Sequence, residues 1–202
     1  MEKTKIYIYG YSGHGAVAAD IALECGYEDI VFLDDSKFDG KKVLKFSPEL
    51  EKADIVIAVG DNKIRKKLQE AVRNAGFNAV SLIHPSAIIS RSAKIGCGTV
   101  VMPKAVINAR AVINQGAIIN TSCVIEHDCI IGEFAHISPN VALAGNVKVG
   151  ELTHVGIGSC VIQGINIGAN CVVGAGSAVV RDIPDGVTAF GNPAKIQRQI
   201  SS

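Results

Sequence analysis

Tryptophan is absent from the 202 residues, and aromatic side chains make up only 5% of them. A core built on bulky rings is therefore excluded, and thin walls of aliphatic side chains become the alternative. An excess of charge is lacking too. Twenty Lys and Arg face 19 Asp and Glu, for a formal net charge of +1, with no long run of either sign. That balance gives no case for nucleic acid or an anionic membrane surface as a partner. No stretch reaches the roughly 18 apolar residues that a membrane span needs. The opening "MEKTKIYIYG" sets a charged cap on an apolar run too short for a secretory leader, so a cytoplasmic location is the expectation. Cys25, Cys97, Cys123, Cys129, Cys160 and Cys171 never form C-x-x-C, which leaves no zinc pattern. Without a leader, a disulfide framework is not expected either.

What the chain does have is glycine, 21 times, and a beat. From Ile89 an aliphatic residue returns at every sixth place without a gap, through Ile95, Val101, Ile107, Ile113, Ile119, Ile125, Ile131 and Ile137 to Leu143, Val149, Val155, Val161, Ile167, Val173 and Val179. The residue two before is usually small (Ala93, Thr99, Ala105, Ala111, Cys123), and most cysteines fall in phase as filler. The residue after is often Gly or Asn, as at Gly96, Asn108, Asn120, Gly132 and Gly150. Both tolerate a left-handed backbone, so the expectation is that the sharp corners fall there. A six-residue period signals a parallel β-helix. The pattern resembles the hexapeptide acyltransferases, and that resemblance implies a left-handed helix with three hexads to each triangular coil. Residues eighteen apart then stack. Val106, Val124, Ala142, Cys160 and Ala178 make an outward column that is apolar throughout. Such a column marks a buried contact. It reads as an oligomer interface, a trimer by resemblance, with cover from the N-terminal domain as the other reading.

The first eighty residues follow another rule. "KIYIYG" reads as a buried strand, "YGYSGHG" as a glycine turn, "AVAADIALECG" as a helix and "DIVFLDD" as a second strand. "ADIVIAVGDN" gives a further strand and turn, and "KIRKKLQEAVRNAG" a helix ending at Gly76. Strand–turn–helix repetition implies a small parallel sheet of Rossmann type. Gly10 to Gly15 is not a G-x-G-x-x-G, but it has glycine where the turn is tight and where the helix begins. A helix N-terminus favours a phosphate, and Asp34 lies where an acidic group can meet a ribose hydroxyl. NAD is the first guess from these features alone. Eighty residues make only half a dinucleotide fold, so a mononucleotide or nucleotide sugar fits better. The expected organisation is a Rossmann-like domain over 1–82, a β-helix over 83–182 and a C-terminal segment over 183–202.

The pairing of S-G-H-G in a half-Rossmann domain with "NTSCVIEHD" on a hexapeptide β-helix resembles the PglD/NeuD family of sugar acetyltransferases. The likeness covers nearly the whole chain, including "KIYIYGYSGHG", "FLDD", "GDNKIRKK", "LIHPSA", "AGNVKVG" and "GNPAK". It implies transfer of an acetyl group from acetyl-CoA to a sugar amine, here the 4-amino group of UDP-4-amino-4,6-dideoxy-N-acetylglucosamine. It implies coenzyme bound between neighbouring subunits of a homotrimer, uridine diphosphate held by the N-terminal domain, and no metal. Another acceptor (GDP-perosamine, or a sialic acid hydroxyl), an NAD-binding oxidoreductase and a non-catalytic nucleotide-sugar scaffold are the competing readings.

His127 stands two places after inward Ile125, at a corner, and Gly145 lies eighteen residues on, directly above it. An imidazole, with its ordinary pKa near neutrality, suits a general base. By resemblance His127 takes the proton of the attacking amine, and the Gly145 N–H stabilises the oxyanion. Asp128 or Glu126 orients the ring. The family pattern favours Asp128, although that pattern has glutamate there. Asn120 reads either as a corner residue or as a donor to the acceptor sugar. His136 faces out from another wall, so a site drawing on both histidines would need two chains. The resemblance assigns His136 to the thioester region. His154 stacks over His136, as a further contact or as surface. Gly156, Ile157 and Gly174 lie where the family lays the pantetheine arm, or serve repeat geometry alone. Lys195 in "GNPAK" could meet the coenzyme phosphates. In the first domain, Ser12, Gly13, His14 and Gly15 are expected to cradle the diphosphate. Asp34, Asp35 and Lys37 are expected to reach uracil or ribose. Gly60, Asp61, Asn62 and Arg65 line the second turn, with Arg65 as a phosphate partner. "DNKIRKK" reads alternatively as a capped helix with a solvated basic face.

Overall fold

A computed structural model describes residues 4–37 and 39–200. The outermost ends of the first and last expected units, 1–3 and 201–202, lie outside the described residues. The chain opens with β1 (Lys5–Tyr9), α1 (Gly13–Glu24), β2 (Asp29–Leu33), β3 (Val43–Leu44), β4 (Asp54–Ile57), α2 (Asn62–Asn74) and β5 (Asn78–Ala79). The sheet order is β3-β2-β1-β4-β5, all parallel. β1 is buried along almost its whole length because both faces of the sheet are covered, as a parallel sheet requires. The order reverses between β1 and β4, and the turns after these strands sit side by side at the sheet's carboxyl edge, where open α/β sheets bind ligands.

From Leu82 to Val179 the chain runs as two-residue strands, each followed by a corner. The strands stack into three parallel walls, so the chain is the Rossmann-like domain followed by a left-handed β-helix. Every inward residue of the six-residue series from Val101 to Val179 is buried, and together they form one core. Burying each such aliphatic side chain stabilises the fold by about 1.5–3 kcal/mol. The helix begins at Leu82, since Leu82–Ile83 already pairs with Val100–Val101. It ends under a hairpin of two longer strands, Val187–Gly191 and Ala194–Gln199. Buried Val187 and Ala189 of that hairpin close the upper end of the core.

The corners are not where Gly and Asn first suggest. Positive φ falls three places after each inward residue from Ile95 to Val173, at Lys104, Arg110, Ser122, Asp128, Phe134, Asn140, Asn146, Leu152 and Asn170 and at Gly98, Gly116, Gly158, Gly164 and Gly176. The glycines one place after the inward residue answer to spacing instead. A Cβ at Gly132 or Gly150 would stand 2.4 Å from a backbone nitrogen of the next coil.

Each wall has its own exterior. One presents Leu82, Val100, Ile118, His136, His154 and Val172. Its lower half is covered by the first domain: Ala18 and Ala22 of α1 and Ile6 and Ile8 of β1 share a buried cluster with Leu82, Val100 and Ile118. The column of Val106, Val124, Ala142, Cys160 and Ala178 is on a different wall, where Ala142 and Cys160 are exposed, so the first domain is not its cover. The third wall mixes Lys94, Val112, Ile130, Lys148 and Asn166. Among the cysteines, Cys97 and Cys160 are exposed rather than filling.

Candidate active site

The corner that opens the third wall carries Ala109, His127 and Gly145 in successive coils. The Asp128 N–H donates to the Ala109 carbonyl, and the Asn146 N–H to that of His127. A Cβ on Gly145 would lie 2.5 Å from His127 Cε1 and 2.6 Å from Nε2. The imidazole therefore rests against a residue that has to be glycine for lack of room, not for its backbone angle. Among the described residues no acceptor meets the Gly145 N–H. His127 Nδ1 lies 2.8 Å from Asp128 Oδ2. Asp128, not Glu126, is the ring's partner, and a proton on Nδ1 leaves the Nε2 lone pair free.

Asp128 sits at φ 62°, which an Asp tolerates better than most side chains. Its carboxylate also takes a fork from Arg110 one coil below, with Nε at 2.7 Å from Oδ1 and Nη2 at 2.8 Å from Oδ2. Arg110, then His127, hold the Asp128 carboxyl well below the usual carboxylate range. Arg110 is a residue the sequence reading missed. The eighteen-residue offset between Arg110 and Asp128 is the signal that could have found it.

On the covered wall His136 and His154 stack with ring centres 4.7 Å apart. Asn120 Nδ2 lies 3.0 Å from His136 Nε2, and Ser138 Oγ 2.8 Å from His154 Nε2. Asn120 is thus paired with His136 rather than placed beside His127. Burial, with His154, Arg65 and His14 nearby, pushes His136 down to about 3. Burial next to Arg65 likewise pushes His14 down to about 4. Among the described residues, His14 Nε2 and His136 Nδ1 are buried and meet no hydrogen-bond partner of ordinary geometry. His14 lies close enough to Arg65 and His136 for their charges to act on one another. His127 and His136 do not meet within one chain.

Arg65 needs a firmer correction. It is fully buried, with Nε donating to the Gly116 carbonyl, Nη1 to those of Val59 and Gly60, and Nη2 to Asn62 Oδ1 and the Phe134 carbonyl. Burial lowers it to about 10 against the pull of Asp61. Asn62 Nδ2 reaches the Leu152 carbonyl, and Asp61 caps α2 by accepting from the Ile64 N–H. These residues fasten the second turn to the β-helix and leave no donor of Arg65 for a phosphate.

The first turn stays open. Ser12 precedes α1 with no side-chain cap bond, and a Cβ on Gly13 would meet nothing. Gly10 and Gly15 shape the turn: a Cβ on Gly15 would fall 1.9 Å from the Gly10 carbonyl oxygen. Burial raises Asp34, but donors from Ser36, Tyr11 and Lys37 outweigh it and bring the carboxyl to about 2. Lys37 Nζ returns to the Tyr11 carbonyl. Asp35 is exposed, and its carboxylate is engaged beside the sheet edge, accepting from the Tyr9 hydroxyl and the Phe46 N–H. Higher on the covered wall, His154, Gly156, Ile157 and Gly174 come together around a cleft of about 320 Å³. Gly60, Asp61, Asn62 and His154 line a second, of about 220 Å³. Lys195 is exposed on the second strand of the closing hairpin. No group of three or more His, Cys, Asp and Glu among the described residues could hold a metal, and no helix is long and apolar enough to cross a membrane.

A triangular β-helix whose corner sets an imidazole against a bare glycine, fused to a small nucleotide-type domain, defines a hexapeptide acyltransferase. A family model described as the PglD N-terminal domain matches residues 5–72. The acetyltransferase domain of PglB from Neisseria gonorrhoeae FA1090, in complex with acetyl coenzyme A, is 42% identical with a TM-score of 0.90, over 96% of this chain and 100% of that one. PerB from Caulobacter crescentus, in complex with CoA and GDP-perosamine, is also 42% identical, with a TM-score of 0.91 over 96% and 97%. UDP-N-acetylbacillosamine N-acetyltransferase of Bacillus subtilis (strain 168) is 42% identical over 107 residues, 47% of this chain. That match spans about half the length of the curated relative (50%). The chain belongs to the PglD family of nucleotide amino-sugar acetyltransferases.

Proposed function

We propose that the protein transfers acetyl from acetyl-CoA to the 4-amino group of UDP-4-amino-4,6-dideoxy-N-acetyl-α-D-glucosamine. The observation that carries the chemistry is the corner: His127 Nδ1 tied to Asp128, with Nε2 against Gly145. As the amine nitrogen attacks the thioester carbonyl, His127 Nε2 takes its proton, and Asp128 stabilises the imidazolium. The Gly145 N–H, free of other acceptors, stabilises the developing oxyanion. The C–S bond breaks, and the departing thiolate takes the proton from His127. Asn120 and His136, which hold each other, form a second polar patch assigned to the thioester region, and His154, Gly156, Ile157 and Gly174 form the cleft for the pantetheine arm. Lys195 supplies charge for the coenzyme phosphates. Ser12 and Gly13, at the open N-terminus of α1, take the diphosphate, and Asp34 and Lys37 border the nucleoside.

Three further features belong to this reading. The exposed apolar column through Ala142 and Cys160 supports a homotrimer, in which a neighbour completes each site. Metal plays no part in the steps above. A cytoplasmic location belongs to this reading.

The test is release of free thiol from acetyl-CoA with purified protein and the UDP amino sugar. Turnover that His127→Ala nearly abolishes supports the reading, and unchanged turnover in the variant removes His127 as base. The likeness to PerB, equal in identity to that of the PglB domain, favours GDP-perosamine as the second acceptor to try. Stabilisation by UDP but not GDP in a melting panel separates the two.

A further inference from the structure

We propose that Arg110 is a positioning residue for His127, acting through Asp128: its guanidinium fixes the plane of the carboxylate so that the imidazole keeps its proton on Nδ1 and its lone pair toward Gly145. This inference rests on the function proposed above only for its consequence in turnover, not for its geometry.

The corner explains why a clamp is required. A carboxylate on a one-carbon stem, adjacent in sequence to the histidine it serves, can rotate away into water. Asp128 does not, because both of its oxygens are engaged from below by Arg110 at 2.7 and 2.8 Å. Oδ2 is shared between Nη2 of Arg110 and Nδ1 of His127, so fixing one bond fixes the other. A forked guanidinium does this where a lysine ammonium cannot, since two parallel N–H donors define a plane and a point charge does not. The backbone cooperates. Arg110 and Asp128 occupy the same left-handed corner position in successive coils, at φ 60° and 62°. The Arg110 N–H in turn donates to the Ser92 hydroxyl in the coil below.

The pair is solvent-exposed, at 64% and 37% for the two side chains. Exposed ion pairs contribute little to stability, which leaves orientation as the role this geometry serves. The charged groups that face Asp128 are Arg110 from below and His127 beside it. Glu126 and Cys129 share its coil, Lys148 stands one coil up on the adjoining wall, and Arg91 starts the coil beneath Arg110 without reaching Asp128.

The experiment is a nitrogen-15 NMR measurement of histidine tautomers, which needs no turnover. The five histidines give few signals, and His127→Ala assigns the one in question. In the unaltered protein, His127 shows one neutral tautomer with the proton on Nδ1. In Arg110→Gln, the two ring nitrogens move toward averaged shifts, and the Asp128 carboxyl titrates upward, toward the ordinary value near 3.9. Turnover falls about tenfold with the KM for acetyl-CoA unchanged, because a misplaced base loses rate rather than binding. Arg110→Lys keeps the charge without the fork and recovers only part of the tautomer preference. It also serves as the reporter if Arg110→Gln folds poorly. Arg91→Gln, the control, matches the unaltered protein. A single Nδ1–H tautomer retained in both Arg110 variants overturns the proposal. If the tautomer shifts but no acceptor sugar is acetylated even by the unaltered protein, the clamp stands and the function proposed above falls.

Discussion

The corner around His127 and the wall around His136 lie nine residues apart in one coil, yet they handle an imidazole in opposite ways. At the corner the ring is in water, partnered by a carboxylate and backed by glycine. On the wall, burial beside Arg65 and a second histidine favours the neutral ring. Both residues point outward from the same core, so outward placement does not set their chemistry. What covers them does. The first domain covers the wall, and nothing among the described residues covers the corner.

Several measurements would sharpen or break that contrast. The largest effect is expected at the corner: His127→Ala should lower acetyl transfer by about 10²–10⁴-fold and leave the melting temperature unchanged. A variant that melts much lower would show that the corner also bears structure. On the wall side the order reverses. Arg65→Met strands the carbonyls of Gly116, Val59 and Phe134 and should cost about 3 kcal/mol of stability, read by chemical denaturation. Gly145→Ala comes next. Its methyl group would occupy the place of the His127 ring, so a rate loss of roughly 10–100-fold is expected with little change in denaturation midpoint. The last effect, absent at neutral pH, is on acid tolerance. Protonation disfavours the folded state for His14 and His136, whose folded values of about 4 and about 3 lie below the ordinary 6.5. The unfolded chain therefore binds more protons between these values. Stability is fully present above about pH 6.5 and falls as pH drops toward 4. Melting curves of His14→Gln and His136→Asn across that window should show a shallower slope, and His127→Ala should show the slope of the unaltered protein.

The walls were legible in the sequence because their strands are only two residues long. Each coil must send an aliphatic side chain inward at three fixed places, and Ile89 to Val179 record that directly. The corner positions were less legible, since a glycine needed for closeness between coils, such as Gly132, looks the same in sequence as one needed for a left-handed turn. His127, Asp128 and Gly145 could be brought together by counting in eighteens, and Arg110 answers to the same count. Arg65 and His14 could not be placed that way. An arginine just after "GDN" looks like a phosphate ligand until the docking of α1 and β1 on Leu82, Val100 and Ile118 is known, and that docking is a long-range packing event with no local period. Asp35 differs from Asp34 only in which side of the β2 end it leaves, and the aromatic cluster of Tyr9 and Phe46 decides that.

The stacking of like corners has a consequence for how such a chain can change. Each circuit consumes the same length of sequence and adds about 4.8 Å of height. A lone deletion would rotate every later side chain out of phase, turning greasy ones to water and polar ones to the interior. Loss or gain of one full circuit, by contrast, would leave phase intact and only move the closing hairpin nearer to or farther from the histidine. The molecule thus carries its own ruler, graduated in whole turns, with the reactive edge at one mark and the cap free to slide.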